Sequence, residues 1–294
     1  MQTPVPSGML ELDPAEAAFT SHAEYAAYLR RCPTTAAAQQ EIERRLIPAA
    51  AEAFTVDGYC HPCGRQMPLA VGFAYAAFRD GRLVPNWREW LVCPHCRLNN
   101  RQRAAVRMFE LYCRPEPAAR IYLTEQLSPL YRQLAARFPG LCGSEYCPDG
   151  DVPGVRHEDL TALTFADGTF AHVLTFDVLE HIPGYERALA ECLRCLKPGG
   201  CLLLSVPFAA AEEHNCLRAT VAATGEITHL LPAEYHGDPC RAGGCLCYHR
   251  FGWELLTVLR SVGFTEVCAR RYWSPALGHL GGNQFMFTAR RPGA

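Results

Sequence analysis

The sequence predicts an α/β fold with a doubly wound, mainly parallel sheet in its C-terminal part. From about Ala119 onward, apolar runs of strand length alternate with amphipathic helical patterns. Such alternation needs crossover connections, which place successive strands parallel in one sheet. The run AHVLTF is mostly apolar, as in a strand buried on both faces of a sheet. The helical pattern YERALAECLRCL follows it and is stopped by Lys197-Pro198-Gly199-Gly200.

The composition is that of an ordinary globular protein. The chain has 294 residues, of which 49% are hydrophobic and 20% charged, enough for one large or two smaller domains. It lacks the run of about 18 apolar residues that a membrane span needs, so no membrane partner is predicted. The N-terminal stretch MQTPVPSGMLELDPAE lacks the basic start and apolar core of a signal peptide, which predicts a cytoplasmic protein. The net charge of −2 argues against broad nucleic-acid binding.

Three regions follow from the patterns along the chain. Residues 1–55 are rich in Ala and Glu, with apolar residues at helical spacing and Pro33 between two predicted helices. Residues 56–112 carry glycines, aromatics and paired cysteines, which indicates a small module of tight turns and short strands. Residues 113–294 form the predicted α/β domain, and the irregular stretch 208–250 is an insertion in it.

Paired cysteines in the second region predict a zinc site. The chain has 16 cysteines, and in a cytoplasmic protein these are more often metal ligands or buried thiols than disulfides. Two Cys-x-x-Cys pairs each present two sulfurs on one tight turn, which suits tetrahedral Zn²⁺, and a full set of four thiolates leaves no open position for chemistry. We therefore expect a structural Zn²⁺ on Cys60, Cys63, Cys93 and Cys96. The alternatives are four unrelated buried cysteines, or a histidine within a pair, His61 or His95, in place of one thiolate.

A second group of metal-ligand residues lies in the insertion. The stretch HGDPCRAGGCLCYH is dense in side chains that bind metals, although their spacing is irregular. It gives an alternative, second metal site. Its members are His236, Cys240, Cys245, Cys247 and His249.

Two motifs give the chain a resemblance to a known family. Asp177-Val178-Leu179-Glu180-His181-Ile182 follows the strand AHVLTF, and Leu196-Lys197-Pro198-Gly199-Gly200 precedes the strand CLLLSVP. In this context they resemble the class I S-adenosylmethionine-dependent methyltransferases, whose fold is a Rossmann-like, seven-stranded sheet. The cysteine pairs followed by Asn-x-Arg-x-Arg resemble bacterial members with an N-terminal four-cysteine module. The resemblance spans about residues 60–290. It departs from the family at TEQLSP, where the first strand is followed by a loop without glycine.

The resemblance implies S-adenosylmethionine as cofactor and a set of residues that bind it. Glu125 is expected at the methionine ammonium, with Thr124 and Gln126 lining the pocket. Glu145 is expected to accept both ribose hydroxyls. The remaining implied contacts are Asp159 and the backbone of Leu160 at the adenine, where the predicted third strand VRHEDL ends, and Asp177 at the mouth where methyl transfer occurs. The alternative for Asp159 and Glu180 is capping of a turn or helix.

The resemblance also places the substrate lid in residues 208–250. A base is needed only if the acceptor must lose a proton, and histidine suits that task because its pKa lies near neutrality. His229 and His236 in the insertion are the predicted bases, with Asp177 and His181 at the strand end as further candidates. The alternatives are a polar surface loop, and for His181 a hydrogen bond within the core.

Three functions are compatible with these residues. The first is methyl transfer to a small-molecule or sugar-containing acceptor. The second is RNA methylation, with the zinc module holding RNA through the arginines that follow it. These arginines, Arg97, Arg101 and Arg103, can alternatively hold an acidic substrate or form a solvated helix face. The third is a non-catalytic binding protein that retains the fold, which the glycine-free loop favours.

Overall fold

The computed structural model describes residues 17–33, 35–50, 52–148, 150 and 152–293. The stretch MQTPVPSGMLELDPAE, on which the signal-peptide prediction rests, lies outside these residues. The chain divides into two compact units. The first comprises the residues up to Phe19, Ala23–Arg114 and Arg270–Phe285, and the second comprises Thr20–His22, Pro115–Ala269 and the residues from Met286. The three-part division at residues 55 and 112 stays a prediction.

The N-terminal region is helical, as its apolar spacing predicts. Its elements are β1 (Ala17–Phe19), α1 (His22–Arg31) and α2 (Thr35–Leu46), and Pro33 falls between the two helices. The buried side chain of Glu43 on α2 accepts three hydrogen bonds. Its Oε1 accepts from Trp273 Nε1 at 2.7 Å and from the backbone N–H of Gly281 and Gly282 at 2.7 and 2.9 Å. A buried carboxylate is tolerated when it is paired in this way.

The cysteine-containing region consists of short strands and one buried helix. Its elements are β2 (Ala53–Cys60), β3 (Arg65–Gly72), β4 (Ala77–Arg79), β5 (Arg82–Val84), α3 (Trp87–Trp90), β6 (Leu91–Val92) and α4 (Asn100–Met108), which continues as a π-helical turn over Phe109–Cys113. β3 pairs antiparallel with both β2 and β6. α4 begins with a capping box, because the side chains of Asn99 and Gln102 each accept a hydrogen bond from the other's backbone N–H.

Parallel strands form the centre of the second unit. Its first elements are β7 (Ile121–Leu123), α5 (Pro129–Ala135), β8 (Leu141–Gly143), β9 (Phe170–Phe176), α6 (Tyr185–Cys195) and β10 (Leu196–Ser205). β7 lies between β8 and β9, β10 lies beside β9, and all these pairs are parallel. The helix α6 ends before Lys197-Pro198-Gly199-Gly200 as predicted. These residues belong to the start of β10, where Gly199 has a φ of 73° and the pairing register shifts between Leu196 and Cys201.

The insertion 208–250 carries three small ladders. Its strands are β11 (Cys216–Leu217), β12 (Ala219–Val221), β13 (Ile227–His229), β14 (Tyr235–His236), β15 (Cys245–Leu246) and β16 (His249–Arg250). Among the described residues, β11 pairs with β16, β12 with β13 and β14 with β15. The insertion is followed by α7 (Glu254–Val262), β17 (Thr265–Ser274) and β18 (His279–Arg290). No helix within the described ranges is long and apolar enough to cross a bilayer.

The predicted fold class is confirmed. Within the described part of the chain, seven strands form one sheet in the order β1-β17-β18-β10-β9-β7-β8, with β18 antiparallel to β10. The membership differs from the prediction at two positions. β1 (Ala17–Phe19), within the stretch predicted to be helical, forms one edge of the sheet. The segment VRHEDL, expected as the third strand, contributes an isolated parallel bridge between Glu145 and His157. Turns closed by Val155 N to Val152 O and by Ala162 N to Asp159 O leave too few residues between them for a longer ladder.

Candidate functional site

The four cysteines of the Cys-x-x-Cys pairs meet in the first unit. Their sulfur atoms all lie within 4.8 Å of one another. The Sγ atoms of Cys60 and Cys96 are 3.6 Å apart, and those of Cys63 and Cys93 are 3.7 Å apart. Each pair is followed by a left-handed residue, Gly64 with φ 67° and Arg97 with φ 64°, which turns the chain back so that both sulfurs of a pair face the same point. This arrangement suits a tetrahedral ion.

The neighbours of this cluster, here called the four-cysteine cluster, shift the pKa values of its thiols in opposite directions. The hydrogen bond with Cys96 and burial raise the pKa of Cys60, and burial raises the pKa of Cys63. Sharing of protons among the sulfurs lowers the pKa of Cys96 to about 5, chiefly through its hydrogen bond with Cys60. The guanidinium of Arg103 is fully buried, and its Nη2 donates to Gly278 O at 2.7 Å. Burial lowers the pKa of Arg103, and the negative charges of the four cysteines act in the opposite direction. A buried cation beside four thiolates compensates part of their charge.

Of the two histidines near this cluster, one contacts a glutamate and the other contacts a cysteine of the cluster. His61 Nε2 lies 2.8 Å from Glu110 Oε2, whereas His95 Nδ1 lies 3.4 Å from Cys63 Sγ. Arg101 Nε donates to Glu89 Oε1 at 3.1 Å. Because Arg103 is fully buried, neither the acidic-substrate site nor the solvated helix face is correct for it. Arg97 is exposed.

The loop after β7 packs against the end of β8. Glu145 Oε1 accepts hydrogen bonds from the backbone N–H groups of Gln126 at 2.7 Å and Leu127 at 2.8 Å. The close approach depends on Gly143 in β8, since a Cβ there would lie 2.8 Å from Glu125 O and 2.5 Å from the ring of Tyr131. The loop has no glycine of its own, and the small residue that close packing needs is supplied by the neighbouring strand.

Several atoms at this edge fit the methionine and ribose ends of S-adenosylmethionine. Thr124 Oγ1 is buried and has no hydrogen-bond partner among the described residues, so its hydroxyl is available to a ligand. The carboxylate of Glu145 is 9% exposed and lies beside that loop. The side chain of Gln126 is already used, because Nε2 donates to Gly154 O and Oε1 accepts from Arg156 N, both at 2.8 Å.

The residues predicted at the adenine are engaged in a turn. Asp159 Oδ1 accepts from both the N–H and the hydroxyl of Thr161 at 2.8 Å, which is the capping role given above as the alternative, and Leu160 is buried. Sequence reasoning missed Tyr146, which follows Glu145 and is 50% exposed. Its ring lies 5.6 Å from that of His157. The available signal was a large aromatic directly after the strand-end acid.

The chain after β9 forms the opposite end of the site. Asp177 has a φ of 54°, and its Oδ1 accepts a hydrogen bond from Ser205 Oγ at 2.9 Å. A non-glycine residue in the left-handed region is uncommon and is often found at functional sites. The 3₁₀ turn Leu179–His181 follows directly. In it Glu180 is completely buried, and His181 Nδ1 lies 2.9 Å from Leu246 O in the insertion.

Three side chains of types that can bind a metal ion or a proton converge here. His181, His236 and Cys247 each offer an atom within 4.8 Å of the others, and we call them the His/Cys cluster. The two imidazole rings are perpendicular with centroids 5.0 Å apart, and Cys247 Sγ is 3.9 Å from His181 Nδ1. The β14–β15 ladder holds His236 opposite Cys245 and thereby carries Cys247 into the cluster.

Burial and opposite charges shift the pKa values in this cluster. The Cys247 thiol and then the Glu180 carboxyl raise the pKa of His236 to about 10. Burial alone would lower the pKa of His181, but Cys245 and Cys247 outweigh it and raise the pKa to about 11. Burial opposes the thiolate of Cys247, yet its two imidazole neighbours lower the pKa overall. Burial raises the pKa of Glu180.

The sequence-predicted catalytic residues are therefore separated into two groups. His181 and His236 lie together in the His/Cys cluster. Asp177 directly follows β9, four residues before His181. His229 is exposed on β13 opposite Ala219 and is not part of the His/Cys cluster. Its role stays a prediction.

The five residues predicted to form a second metal site within the insertion do not all come together. Cys240 Sγ lies 3.0 Å from Cys147 Sγ, and His249 Nε2 lies 3.1 Å from Pro183 O. His236 and Cys247 instead combine with His181. That histidine lies far along the chain from the insertion, so the local spacing of ligands gave no signal for it.

Comparison with known proteins identifies part of the second unit. The family described as a methyltransferase domain matches residues 140–204, the segment from just before β8 to just before the end of β10. A curated relative from Mycolicibacterium smegmatis, described as a probable S-adenosylmethionine-dependent methyltransferase, is 38% identical over 53 residues, which are 18% of this chain. The chain spans 21% of the length of that relative. Residues 140–204 are thus similar to a segment of a methyltransferase domain.

Solved structures similar to the chain include methyltransferases. One from Mesorhizobium loti is 18% identical, with a TM-score of 0.39, and covers 62% of this chain and 97% of its own. The 1,6-didemethyltoxoflavin-N1-methyltransferase of Burkholderia thailandensis is 18% identical, with a TM-score of 0.38, and covers 65% of this chain and 78% of its own. Phosphoethanolamine N-methyltransferase 2 of Haemonchus contortus is 14% identical, with a TM-score of 0.38, and covers 66% of this chain and 52% of its own.

Proposed function

We propose that the protein is an S-adenosylmethionine-dependent methyltransferase that acts on a small-molecule or sugar-containing acceptor. The observation that carries the proposal is the position of Glu145 and Asp177 within the segment that matches the methyltransferase family. Both follow parallel strands at their carboxyl ends. Ligands of open α/β sheets bind at this edge, where neighbouring strands leave a crevice.

The cofactor is held by the loop after β7 and by the residues that follow β8. Glu145 accepts the ribose hydroxyls through Oε2, because Oε1 already accepts the N–H groups of Gln126 and Leu127 and each carboxylate oxygen can accept more than one hydrogen bond. Thr124 and Glu125 face the methionine end, and the hydroxyl of Thr124 is the buried donor without a partner among the described residues. Tyr146 stacks on the adenine, and Asp159 and Leu160 contact its edge. Gln126 supports the loop rather than the ligand.

The acceptor lies beyond Asp177, next to the His/Cys cluster. A bound sulfonium supplies an already activated methyl group, so the protein has to align the acceptor and exclude water. The 3₁₀ turn after Asp177 and the β14–β15 ladder line the proposed acceptor site. The carbonyl of Leu246 holds the ring of His181 in place. His181 and His236 orient the acceptor by donating hydrogen bonds, because their raised pKa values keep both imidazoles protonated near neutral pH. His229 stays a predicted base on the insertion.

A small acceptor is favoured over RNA by the state of the arginines. Of the three arginines named for RNA, Arg101 is paired with Glu89, Arg103 is buried and Arg97 is exposed, so one of the three is open to a phosphate backbone and they do not form a cationic stripe. A cytoplasmic location remains a prediction that rests on the sequence.

We also propose a structural Zn²⁺ in the four-cysteine cluster. Its support is the convergence of four sulfurs with left-handed residues after each pair and with the buried Arg103 as a compensating cation. Cys60, Cys63, Cys93 and Cys96 would hold the ion in a closed, four-coordinate site, which leaves no position for a substrate. The ion would therefore stabilise the first unit rather than take part in methyl transfer.

The test of the proposed function begins with cofactor binding to the full chain. Calorimetry with S-adenosylmethionine and S-adenosylhomocysteine should show binding by the parent protein. The acceptor class is then read by incubating the protein with methyl-labelled cofactor and a bacterial extract, followed by separation of small molecules from RNA and protein. We expect label in the small-molecule fraction. Label confined to RNA would favour the second function, and absence of cofactor binding would leave the non-catalytic alternative.

A further inference from the structure

We propose that the His/Cys cluster is a second Zn²⁺ site, with His181, His236 and Cys247 as its ligands. Imidazole nitrogens and a thiolate are the ligand types that zinc prefers. Their atoms lie within 4.8 Å of one another, so small side-chain adjustments bring them to the ligand separations of a tetrahedral ion.

The surroundings of the ligands hold His181 ready for metal binding. Its Nδ1 lies 2.9 Å from Leu246 O. When that nitrogen carries the proton and donates to the carbonyl, Nε2 is left with a lone pair for the ion. A ligating histidine usually donates its other ring N–H to a carbonyl or carboxylate in this manner, which fixes both the tautomer and the orientation of the ring.

Glu180 gives an independent indication of a cation. Its carboxyl is completely buried, and neither of its oxygens makes a hydrogen bond with any described residue. Oε1 lies 3.5 Å from His236 Nδ1 and 3.7 Å from His181 Nε2, so the carboxyl faces the cluster. A buried carboxylate without hydrogen bonds is costly unless a positive charge lies beside it, and either the protonated imidazoles of the two histidines or a zinc ion held by them would supply that charge.

The site would keep one coordination position open. Cys245 also contacts the imidazole of His181, but it is not one of the residues whose atoms converge within 4.8 Å. Three protein ligands with a free fourth position are typical of catalytic zinc, in contrast to the closed set of the four-cysteine cluster. The free position would take water or the heteroatom of a bound molecule.

This open position deepens the proposed function and rests on it, because it suggests an acceptor with a hydroxyl or a thiol. The heteroatom would bind the zinc, and its proton would pass to solvent because the ion lowers its pKa. The heteroatom would then attack the methyl carbon. A bond from carbon to the heteroatom forms, the bond from carbon to the sulfonium sulfur breaks, and S-adenosylhomocysteine leaves with that electron pair.

The experiment is metal analysis of the full chain purified without chelators. We expect about two zinc ions per chain in the parent, and about one in Cys247→Ser and in His236→Ala, with circular dichroism to confirm that each variant is folded. His214→Ala is the matched histidine control because that side chain is 82% exposed, and Cys245→Ser is the cysteine control. Both controls should keep the zinc content of the parent.

Two outcomes would overturn the proposal. If Cys247→Ser and His236→Ala bind as much zinc as the parent, the cluster is not a metal site. If Cys245→Ser also loses an ion, the fourth position is not open. Failure of the methyltransferase proposal would be distinct, since a parent protein with two zinc ions and no affinity for S-adenosylmethionine in calorimetry would contradict the function and leave the metal site intact.

Discussion

The backbone N–H of Gln126 donates to the carboxylate of Glu145 at 2.7 Å, which ties the loop after the first parallel strand to the end of the second. That loop lacks the glycine that usually allows backbone to approach a bound cofactor. Here Gly143 on the adjacent strand makes the approach possible, because a side chain there would collide with Glu125 O and Tyr131. The loop is thus positioned by its neighbour rather than by its own sequence.

Replacement of Glu145 should weaken cofactor binding. In Glu145→Ala the ribose loses a charge-assisted acceptor, which should cost about 1.5–3 kcal/mol of binding free energy for each hydrogen bond lost. The two backbone donors of the loop lose their partner as well. Calorimetric titration with S-adenosylmethionine measures the effect, and Glu266→Ala, at an exposed surface pair with Arg290, is the control. Unchanged affinity in Glu145→Ala would mean that the ribose lies elsewhere.

Tyr146 should contribute to affinity through its ring. Truncation in Tyr146→Ala removes the surface on which the adenine would stack, and such aromatic pairs contribute about 0.5–1.5 kcal/mol. Tyr146→Phe keeps the ring and should bind S-adenosylmethionine nearly as tightly as the parent. The comparison is made by calorimetry on both variants. Equal losses in the two would assign the effect to the hydroxyl and contradict stacking.

The sequence predicts those features that depend on local periodicity and motif spacing. The run AHVLTF forms a strand, and the amphipathic pattern after it forms a helix. Both elements end close to the predicted residues, the helix before Gly199. The two Cys-x-x-Cys pairs came together because each pair is defined by its own turn. The segment VRHEDL, expected as the third strand, did not form a ladder, because both of its ends lie in hydrogen-bonded turns that its sequence does not reveal.

The arrangement of the residues around the His/Cys cluster could not be predicted in the same way. Cys240, Cys245 and Cys247 are close in sequence, yet Cys240 meets Cys147 while Cys247 meets His181. Which residue faces which is set by the β14–β15 register and by the position of the whole insertion against the turn after β9. These are long-range relationships, and the burial of Glu180 depends on them too.

Loss of a thiolate should release zinc from the four-cysteine cluster. We expect Cys93→Ser to lose metal and to unfold the strands around it, because structural zinc contributes on the order of 10 kcal/mol to small domains. Zinc content and thermal unfolding of the full chain are the measurements. Cys32→Ser, at a half-buried cysteine outside the cluster, should match the parent. Carefully purified parent protein without zinc would contradict the structural role.

Acid should destabilise the first unit through His279. This histidine is fully buried, and burial together with Arg103 and Arg107 holds its pKa well below the usual value. The unfolded chain binds the proton at about pH 6.5, so below that pH the unfolded state carries more protons and stability falls as pH decreases, by at most about 1.4 kcal/mol per pH unit for one group. Above that pH the contribution is constant.

The change that isolates this effect is His279→Phe, which keeps a ring but cannot bind a proton. Urea unfolding of parent and variant at several values between about pH 7 and pH 5 gives the two slopes. We expect the variant to lose stability less steeply on the acid side, whatever its stability at neutral pH. Equal slopes of unfolding free energy against pH in parent and variant would show that His279 does not cause the loss of stability at acidic pH.

The two predicted bases should differ in their effect on turnover. His236 belongs to the His/Cys cluster, whereas His229 is exposed on β13. His236→Ala should therefore lower kcat by roughly 10²-fold, the order of loss expected when the acceptor is misplaced, and should leave the affinity for S-adenosylmethionine unchanged. His229→Ala should remain close to the parent in both respects. Single-turnover rates on the acceptor found in the labelling experiment, together with calorimetry, measure the two quantities. A large loss in His229→Ala with none in His236→Ala would move the acceptor from the His/Cys cluster to the β12–β13 ladder.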